Sequence, residues 1–517
     1  MKTDWQENLS FNSQSRRRGF GFSAKPIKSL DVRLRIRLVW GVFVVSMALI
    51  LAKIMYLQII ERGQHELTSY TNHIELKREV ALRGVIYDRR GEIFPRETTS
   101  GMIVGYVSEV NQGELGCFEG LCYSPGTLIG RSGVEQVFEE RLRGRDGGRL
   151  VEVDSAGNEV RELGKNLSER GSDIQLSLDS RLQKIMYDAF SLRQGLPAGR
   201  QGSAVMIDMQ GKVLGLVSTP SYDPLQITNY LADTSKQYFL NRAISGTYPP
   251  GSVFKLVSAM AGLAEGKIES ETQFFDTGEI RVGAYRYGNW YFDQYGRTEG
   301  SIDLVKALAR SNDIYFYKVG EEVGVEGLVK WARLFGLGEK TGIELPGEVA
   351  GLVPDRLWKE RKTGEKWFLG NTYHLAIGQG DLLVTPLQVA RMTLGVISGR
   401  VCQVSLLQDK APECRDLGLK TQDIGSVAQG MKGACASGGT AFPFFTFEPW
   451  VMCKTGTAQH SGQKTKEDLP HAWITVAYPG ENPEMILTVM LESAGEGSAE
   501  AGPVAKEILM KWRELRK

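Results

Sequence analysis

Residues 38–60, LVWGVFVVSMALILAKIMYLQII, are apolar apart from Ser46, Lys53 and Gln58. That is about the ~20 residues a helix needs to cross a bilayer. Glu61–Val80 is polar and helix-compatible. Arg83–Gly91 (RGVIYDRRG) predicts a strand ending in a turn. Val134–Leu142 (VEQVFEERL) has helical spacing and stops at Gly144, and Arg149–Asp154 alternates like a strand before a turn at 155–158. From Asp173 the texture changes. DIQLSLD is a short alternating strand, Arg181–Ser191 a helix, and 203–218 (SAVMIDMQGKVLGLVS) a hairpin turning at Gln210-Gly211. Helical stretches follow around 252–265, 302–319 and 325–335. Two strands, His471–Tyr478 and Glu484–Leu491, precede a closing helix, Pro503–Arg516. Strands at both ends of a helical middle predict an α+β fold with one sheet built from distant parts of the chain.

At 517 residues the chain is too long for one ordinary domain. The pattern divides it into a polar, flexible tail (1–37), a membrane-spanning helix (38–60), an intermediate domain (61–172) and a large C-terminal domain (173–517). Arg16, Arg17, Arg18, Lys25, Lys28, Arg33, Arg35 and Arg37 all precede the apolar run, so the positive-inside bias keeps the N-terminus in the cytoplasm. No A-x-A-like cleavage site follows the run, which argues for an uncleaved anchor over a signal peptide. Everything beyond it is expected outside the membrane, where disulfides form. Cys402 with Cys414 closes a short loop and is expected to pair, and Cys117 with Cys122 offers a second pairing. Cys435 and Cys453 read as buried small hydrophobes. No CxxC pair occurs and no Cys lies near a His at ligand spacing, so no zinc site is expected. The net charge of +1 argues against a nucleic-acid binder.

Three short motifs carry candidate chemistry. Ser252-Val253-Phe254-Lys255 follows Pro249-Pro250-Gly251 and opens a helical stretch. Ser and Lys at i, i+3 share a helix face, and a desolvated Lys can take the proton of the hydroxyl. The helix start also offers free N–H groups to a developing oxyanion. Ser311-Asn312-Asp313 is the second motif, and its simplest reading is a helix N-cap by Ser or Asp. Lys454-Thr455-Gly456-Thr457 is the third. A cation, hydroxyls and a side-chain-free Gly on a strand suit a carboxylate-bearing peptide docked on a sheet edge, although a Lys also protects an edge strand.

In this order the three motifs match the S-x-x-K, S-x-N or S-D-N, and K-T-G set of penicillin-recognising serine enzymes. Tyr248-Pro249-Pro250-Gly251-Ser252, Gly133-Val134-Glu135, Thr341-Gly342-Ile343-Glu344, Ile377-Gly378-Gln379-Gly380 and His471-Ala472-Trp473 extend the likeness, which runs from about residue 34 to the C-terminus. The chain resembles a class B penicillin-binding protein, a monofunctional D,D-transpeptidase, with the elongation-type subgroup, penicillin-binding protein 2, as the nearest pattern. The resemblance implies an elongated, mostly-β pedestal at 61–172 and a β-lactamase-like transpeptidase domain at 173–517, a sheet flanked by helices. It implies Ser252 as nucleophile, Lys255 as base and Ser311 as proton relay. Asp313, Lys454, Thr455, Gly456 and Thr457 would bind substrate. Stem peptides ending in D-Ala-D-Ala, β-lactams and a polytopic SEDS-type glycan polymerase would be its partners, and no cofactor is expected. The chain departs from the pattern at Asp313, where many members have Asn, and in the short stretch from Gly91 to Gly130.

Two other functions fit parts of the same pattern. A D,D-carboxypeptidase would resolve the acyl-enzyme with water, but the anchor and pedestal argue against it. A non-catalytic β-lactam-binding scaffold of a wall-synthesis complex would not need Ser252, Lys255 and Lys454 together. His374 and His471 read as structural, because a Lys already fills the base role.

Overall fold

The computed structural model describes residues 32–61, 63, 73–118, 121–154, 156–191, 200–460 and 468–516. The expected tail lies mostly outside them. The described chain divides into two units: one runs to residue 78 and includes 148–166, and the other holds 79–147 and 167–517. The expected 61–172 pedestal is therefore shared between them.

In the first unit, helix α1 spans Val32–Ile59 with a mean hydropathy of 2.3 over its most apolar window and no buried side chain. It starts earlier than the apolar run because Arg33, Arg35 and Arg37 favour a helix as readily as the residues they precede. Ile74–Glu79, within the helix-compatible stretch, is instead a strand, ordered in a three-stranded sheet with Gly147–Val153 and Glu159–Asn166. Hydrogen bonding to a neighbouring strand overrides the weak helical preference of a polar segment.

The second unit is built on a five-stranded antiparallel sheet. Its strands are β1 (Gly202–Asp208), β2 (Val213–Thr219), β3 (Met452–Ala458), β4 (His471–Tyr478) and β5 (Met485–Leu491), in the order β2-β1-β5-β4-β3. The hairpin expected at 203–218 is β1–β2, and the two expected C-terminal strands are β4 and β5. Sequence-distant β1 and β5 pair at the centre, from Gly202↔Leu491 to Asp208↔Met485. Both faces of the sheet are covered, which is why β1, β2, β4 and β5 read as near-continuous apolar runs. Ala204, Met206, Val489 and Ile474 pack on one face with helices α2 (Ser180–Ser191) and α8 (Ala501–Leu515). On the other face, Val205, Met490 and Trp473 pack with α3 (Lys255–Ala264) and α6 (Pro386–Ser398).

The helix expected over 302–319 is broken. Helix α4 (Leu304–Arg310) ends at Ser311, which takes a left-handed conformation at φ 53°, and α5 (Asp313–Leu334) starts again behind Asn312. Helix α7 (Thr421–Cys435) packs beside α4 and against β3. Cys402–Cys414 and Cys117–Cys122 are bonded as expected. Cys435 and Cys453 are buried but also bonded to each other, with Cα atoms 5.9 Å apart. The reading as unpaired hydrophobes fails because the last residue of α7 faces β3, a tertiary contact that an 18-residue separation does not announce.

Candidate active site

Backbone hydrogen bonds hold the turn that carries Ser252. Tyr248 exchanges both of its backbone hydrogen bonds with Val384, at 2.9 Å each, and Gly251 N–H donates to Gly378 O at 2.8 Å. Gly251 sits at φ +55°, and a Cβ there would lie 2.7 Å from Thr457 O. Only Gly satisfies both conditions. Gly251–Phe254 then makes a single 3₁₀ turn into α3, placing Ser252 half-buried at the floor of a cleft of about 1430 Å³.

Strand β3 forms the edge of the sheet beside this turn. Alternation along it decides which residue meets which group. Lys454 and Gly456 share the face of Met452 and Ala458, which pack with α3, while Cys453 belongs to the opposite core. Thr455 and Thr457 therefore point to the opposite face. Thr455 Oγ1 shares a hydrogen bond with Thr440 Oγ1 at 2.9 Å, and Thr457 Oγ1 accepts from Gly497 N–H at 3.3 Å. Gly456 allows the strand to touch the Ser252 turn, since a Cβ would meet Val253 Cγ2 at 2.8 Å and Pro250 O at 2.9 Å. Thr457 O accepts from Gln379 Nε2 at 3.2 Å, on the edge away from β4. In a strand the N–H and C=O of one residue point to the same edge, so the Thr457 N–H faces the Ser252 turn as well.

The polar centre lies beneath the cleft floor. Lys255 Nζ donates to Asp313 Oδ1 at 2.7 Å, to Ser311 O at 2.7 Å and to Ser311 Oγ at 3.3 Å. Lys454 Nζ donates to the same Ser311 Oγ at 2.8 Å and to Thr455 O at 3.0 Å. Ser311 Oγ is thus shared by two lysines from different parts of the chain. The left-handed Ser311 provides the reversal that turns its carbonyl and hydroxyl toward them. Both lysine side chains are fully buried. Burial lowers the Lys255 pKa, against the opposing charge and hydrogen bond of Asp313. Lys454 is held well below the ordinary lysine value by burial first and then by the charge of Lys255. Only Lys255 bonds Asp313, and two buried amines beside one carboxylate favour a neutral lysine.

The expected residues converge, with three differences in detail. The cap of α5 is Asn312, whose side chain accepts from Tyr315 N–H at 2.9 Å, and not Ser311 or Asp313. Asp313, expected to bind substrate, has both oxygens engaged, one by Lys255 and the other by Trp290 N–H at 3.2 Å. Lys255 is turned toward Asp313 and Ser311 and makes no hydrogen bond to Ser252 among the described residues. The Asp313 carboxylate draws the Lys255 side chain to itself, and catalytic hydrogen bonds often form only with substrate in place. The sequence pattern marks neither Trp290 nor Gln379 as a site residue. Gln379 lies in the Ile377–Gly380 segment that carries part of the likeness, whereas Trp290 follows an irregular stretch without any periodic signal.

Residues 202–510 match the penicillin binding protein transpeptidase domain, well over half of the chain. The chain belongs to this family. Residues 93–176 match the penicillin-binding protein dimerisation domain. The peptidoglycan D,D-transpeptidase MrdA of Acinetobacter baumannii is 31% identical over 460 residues, covering 82% of this chain and 66% of the relative. MrdA of Escherichia coli strain K12 is 31% identical over 468 residues, covering 82% and 71%. The chain thus spans about two thirds of the length of these relatives. Peptidoglycan D,D-transpeptidase FtsI of Escherichia coli strain K12 is 26% identical over 382 residues, covering 73% of this chain and 62% of the relative. Among solved structures, Helicobacter pylori PBP2 in its complex with MreC superposes with a TM-score of 0.76 at 26% identity, covering 86% of this chain and 99% of that one. Pseudomonas aeruginosa PBP2 in complex with WCK 5153 gives 0.73 at 30% identity, covering 85% and 96%. The family is one of serine acyltransferases, and the apolar α1 fits its membrane-anchored members.

Proposed function

We propose that the protein is a membrane-anchored peptidoglycan D,D-transpeptidase that reacts through Ser252. The observation that carries this reading is Ser311 Oγ shared by Lys255 and Lys454 beneath the Ser252 turn. Ser252 Oγ attacks the carbonyl of the penultimate D-Ala while neutral Lys255 takes its proton. The carbonyl oxygen, now negative, accepts from the N–H groups of Ser252 and Thr457. As the C–N bond breaks, Ser311 passes a proton to the departing D-Ala and is resupplied from the lysines. The Thr455 and Thr457 hydroxyls and the field of Lys454 hold the terminal carboxylate. An amine of a second stem peptide then attacks the ester and releases Ser252. β-Lactams mimic the donor and remain on Ser252.

In this reading residues 61–172 form the pedestal and 173–517 the reacting domain. The N-terminus lies inside, and the basic residues before α1 support that orientation. Higher identity to MrdA than to FtsI supports a role in elongation. A polytopic SEDS-type polymerase is the proposed membrane partner, a reading supported by a structural neighbour described as a peptidoglycan synthase complex. The test uses the full-length protein in lipid with stem-peptide donor and amine acceptor. Cross-linked dimer should exceed hydrolysed tetrapeptide. Hydrolysed product alone would make the protein a carboxypeptidase, and no product with either would leave a scaffold.

A further inference from the structure

Asp276 is a buried carboxylate that the proposed mechanism does not use. It ends the short strand Phe274–Asp276, is 1% exposed, and forms no ion pair among the described residues. Its Oδ1 accepts from Gly278 N–H at 2.8 Å. Its Oδ2 accepts from Asn312 Nδ2 at 2.8 Å, Asn289 Nδ2 at 2.9 Å and Glu299 N–H at 2.9 Å. A carboxylate only accepts, so it fixes which way both amides face. With their nitrogens turned to Asp276, their oxygens face the first turn of α5. Asn312 Oδ1 accepts from Tyr315 N–H at 2.9 Å, and Asn289 Oδ1 accepts from Asp313 N–H at 3.2 Å. Trp290, next to Asn289, donates its N–H to Asp313 Oδ2.

Each residue of the turn is therefore held separately. Asn312 is held by Asp276, Asp313 by Asn289 and Trp290, and Ser311 by the two lysines. Ser311 needs such support, because a non-Gly residue at φ 53° is held by its surroundings rather than by its own preference. Asn289 and Asn312 are as fully buried as Asp276, so water cannot replace a lost partner without cost. We infer that Asp276 is a positioning residue for transpeptidation, acting through Asn289 and Asn312 to hold Ser311 and Asp313 against Lys255. This rests on the reading of Lys255 as the base. Lys255 Nζ itself faces Asp313, Ser311 and the ring of Phe316, and Lys454 shares Ser311 with it.

The test measures the rate of acylation by labelled penicillin against pH in the full-length protein. Asp276→Ala should lower the plateau roughly 10- to 100-fold, the scale of a misplaced catalytic group. It should also move the acid limb to lower pH, because Asp313 no longer opposes deprotonation of Lys255. Asp276→Asn keeps one acceptor oxygen and should recover much of the rate. Asn289→Ala removes one support of Asp313 and one donor to Asp276 but leaves Asn312 bonded, and it should show the same limb displacement; it decides the matter if Asp276→Ala does not fold. Rates within about two-fold of wild type with an unmoved limb in the folded variants would overturn the inference. So would a loss matched by the loss of titratable active sites, since that marks a purely structural role. Acylation retained by Lys255→Gln would instead defeat the base assignment, and is read apart from the Asp276 variants.

Discussion

Replacing Gly456 with Ala tests the contact on which the proposed oxyanion site depends. The added methyl would lie 2.8 Å from Val253 Cγ2, 2.9 Å from Pro250 O and 3.1 Å from Trp473 Cβ. Neither of the first two neighbours yields easily, one being backbone and the other a β-branched side chain with a restricted χ1. Restoring ordinary contact at ~3.5 Å requires β3 and the Ser252 turn to part by roughly 0.6–0.7 Å. The N–H groups of Ser252 and Thr457 sit on the two sides of that gap. Loss of one oxyanion donor costs about 10²–10³-fold in other serine enzymes. A partial loss of geometry should therefore lower acylation roughly 10- to 100-fold. The overpacking itself should cost about 1–3 kcal/mol, which leaves a protein of ordinary stability folded. The assay is the second-order rate of acylation by labelled penicillin, with a thermal melt on the same sample. Acylation within about two-fold of wild type would show that the Gly456 contact does not set the oxyanion site, as would a loss that follows unfolding alone.

Asp313→Asn removes the charge that opposes the burial-driven fall of the Lys255 pKa, so Lys255 should lose its proton at lower pH. The acid limb of the acylation profile should move down in pH, with the neutral-pH rate kept or raised. A large drop in the plateau with an unchanged melt would give the carboxylate a direct catalytic role. Ser311→Ala should reduce acylation by ~10²-fold or more, because it removes the one hydroxyl bonded to both lysines. A smaller effect in a steady-state acylation assay would point to a water in its place. Lys454→Arg should also lose acylation, since a planar guanidinium does not fit a fully buried site shaped for a point charge. Near wild-type labelling of that variant would contradict the placement.

Strands β1, β2, β4 and β5 were legible because they are long, apolar and bounded by turns, and the hairpin β1–β2 turns where expected, around Gln210-Gly211. The three motifs were legible because each residue type has a chemical reason for its spacing. Their meeting in space could not be read from 311 and 454, which lie 143 residues apart and meet through one hydrogen bond. Helical spacing runs straight through Ser311, so the pattern predicted one helix where a left-handed residue divides two. That break depends on partners elsewhere, Asp276 and Asn289 among them, whose burial no local pattern announces. The Cys435–Cys453 bond escaped for a related reason: helix and strand meet only in the folded chain. The strand Ile74–Glu79 shows the converse, a polar segment whose structure is supplied by its neighbours in the sheet.

In the proposed reaction Ser252 forms the covalent acyl-enzyme. Intact-mass measurement after incubation with a β-lactam tests it directly, on wild type and on Ser252→Ala with matching thermal melts. Wild type should gain the mass of one β-lactam, with the modified peptide containing Ser252, and the variant should gain none. An adduct on the folded variant, or none on wild type, would contradict the account.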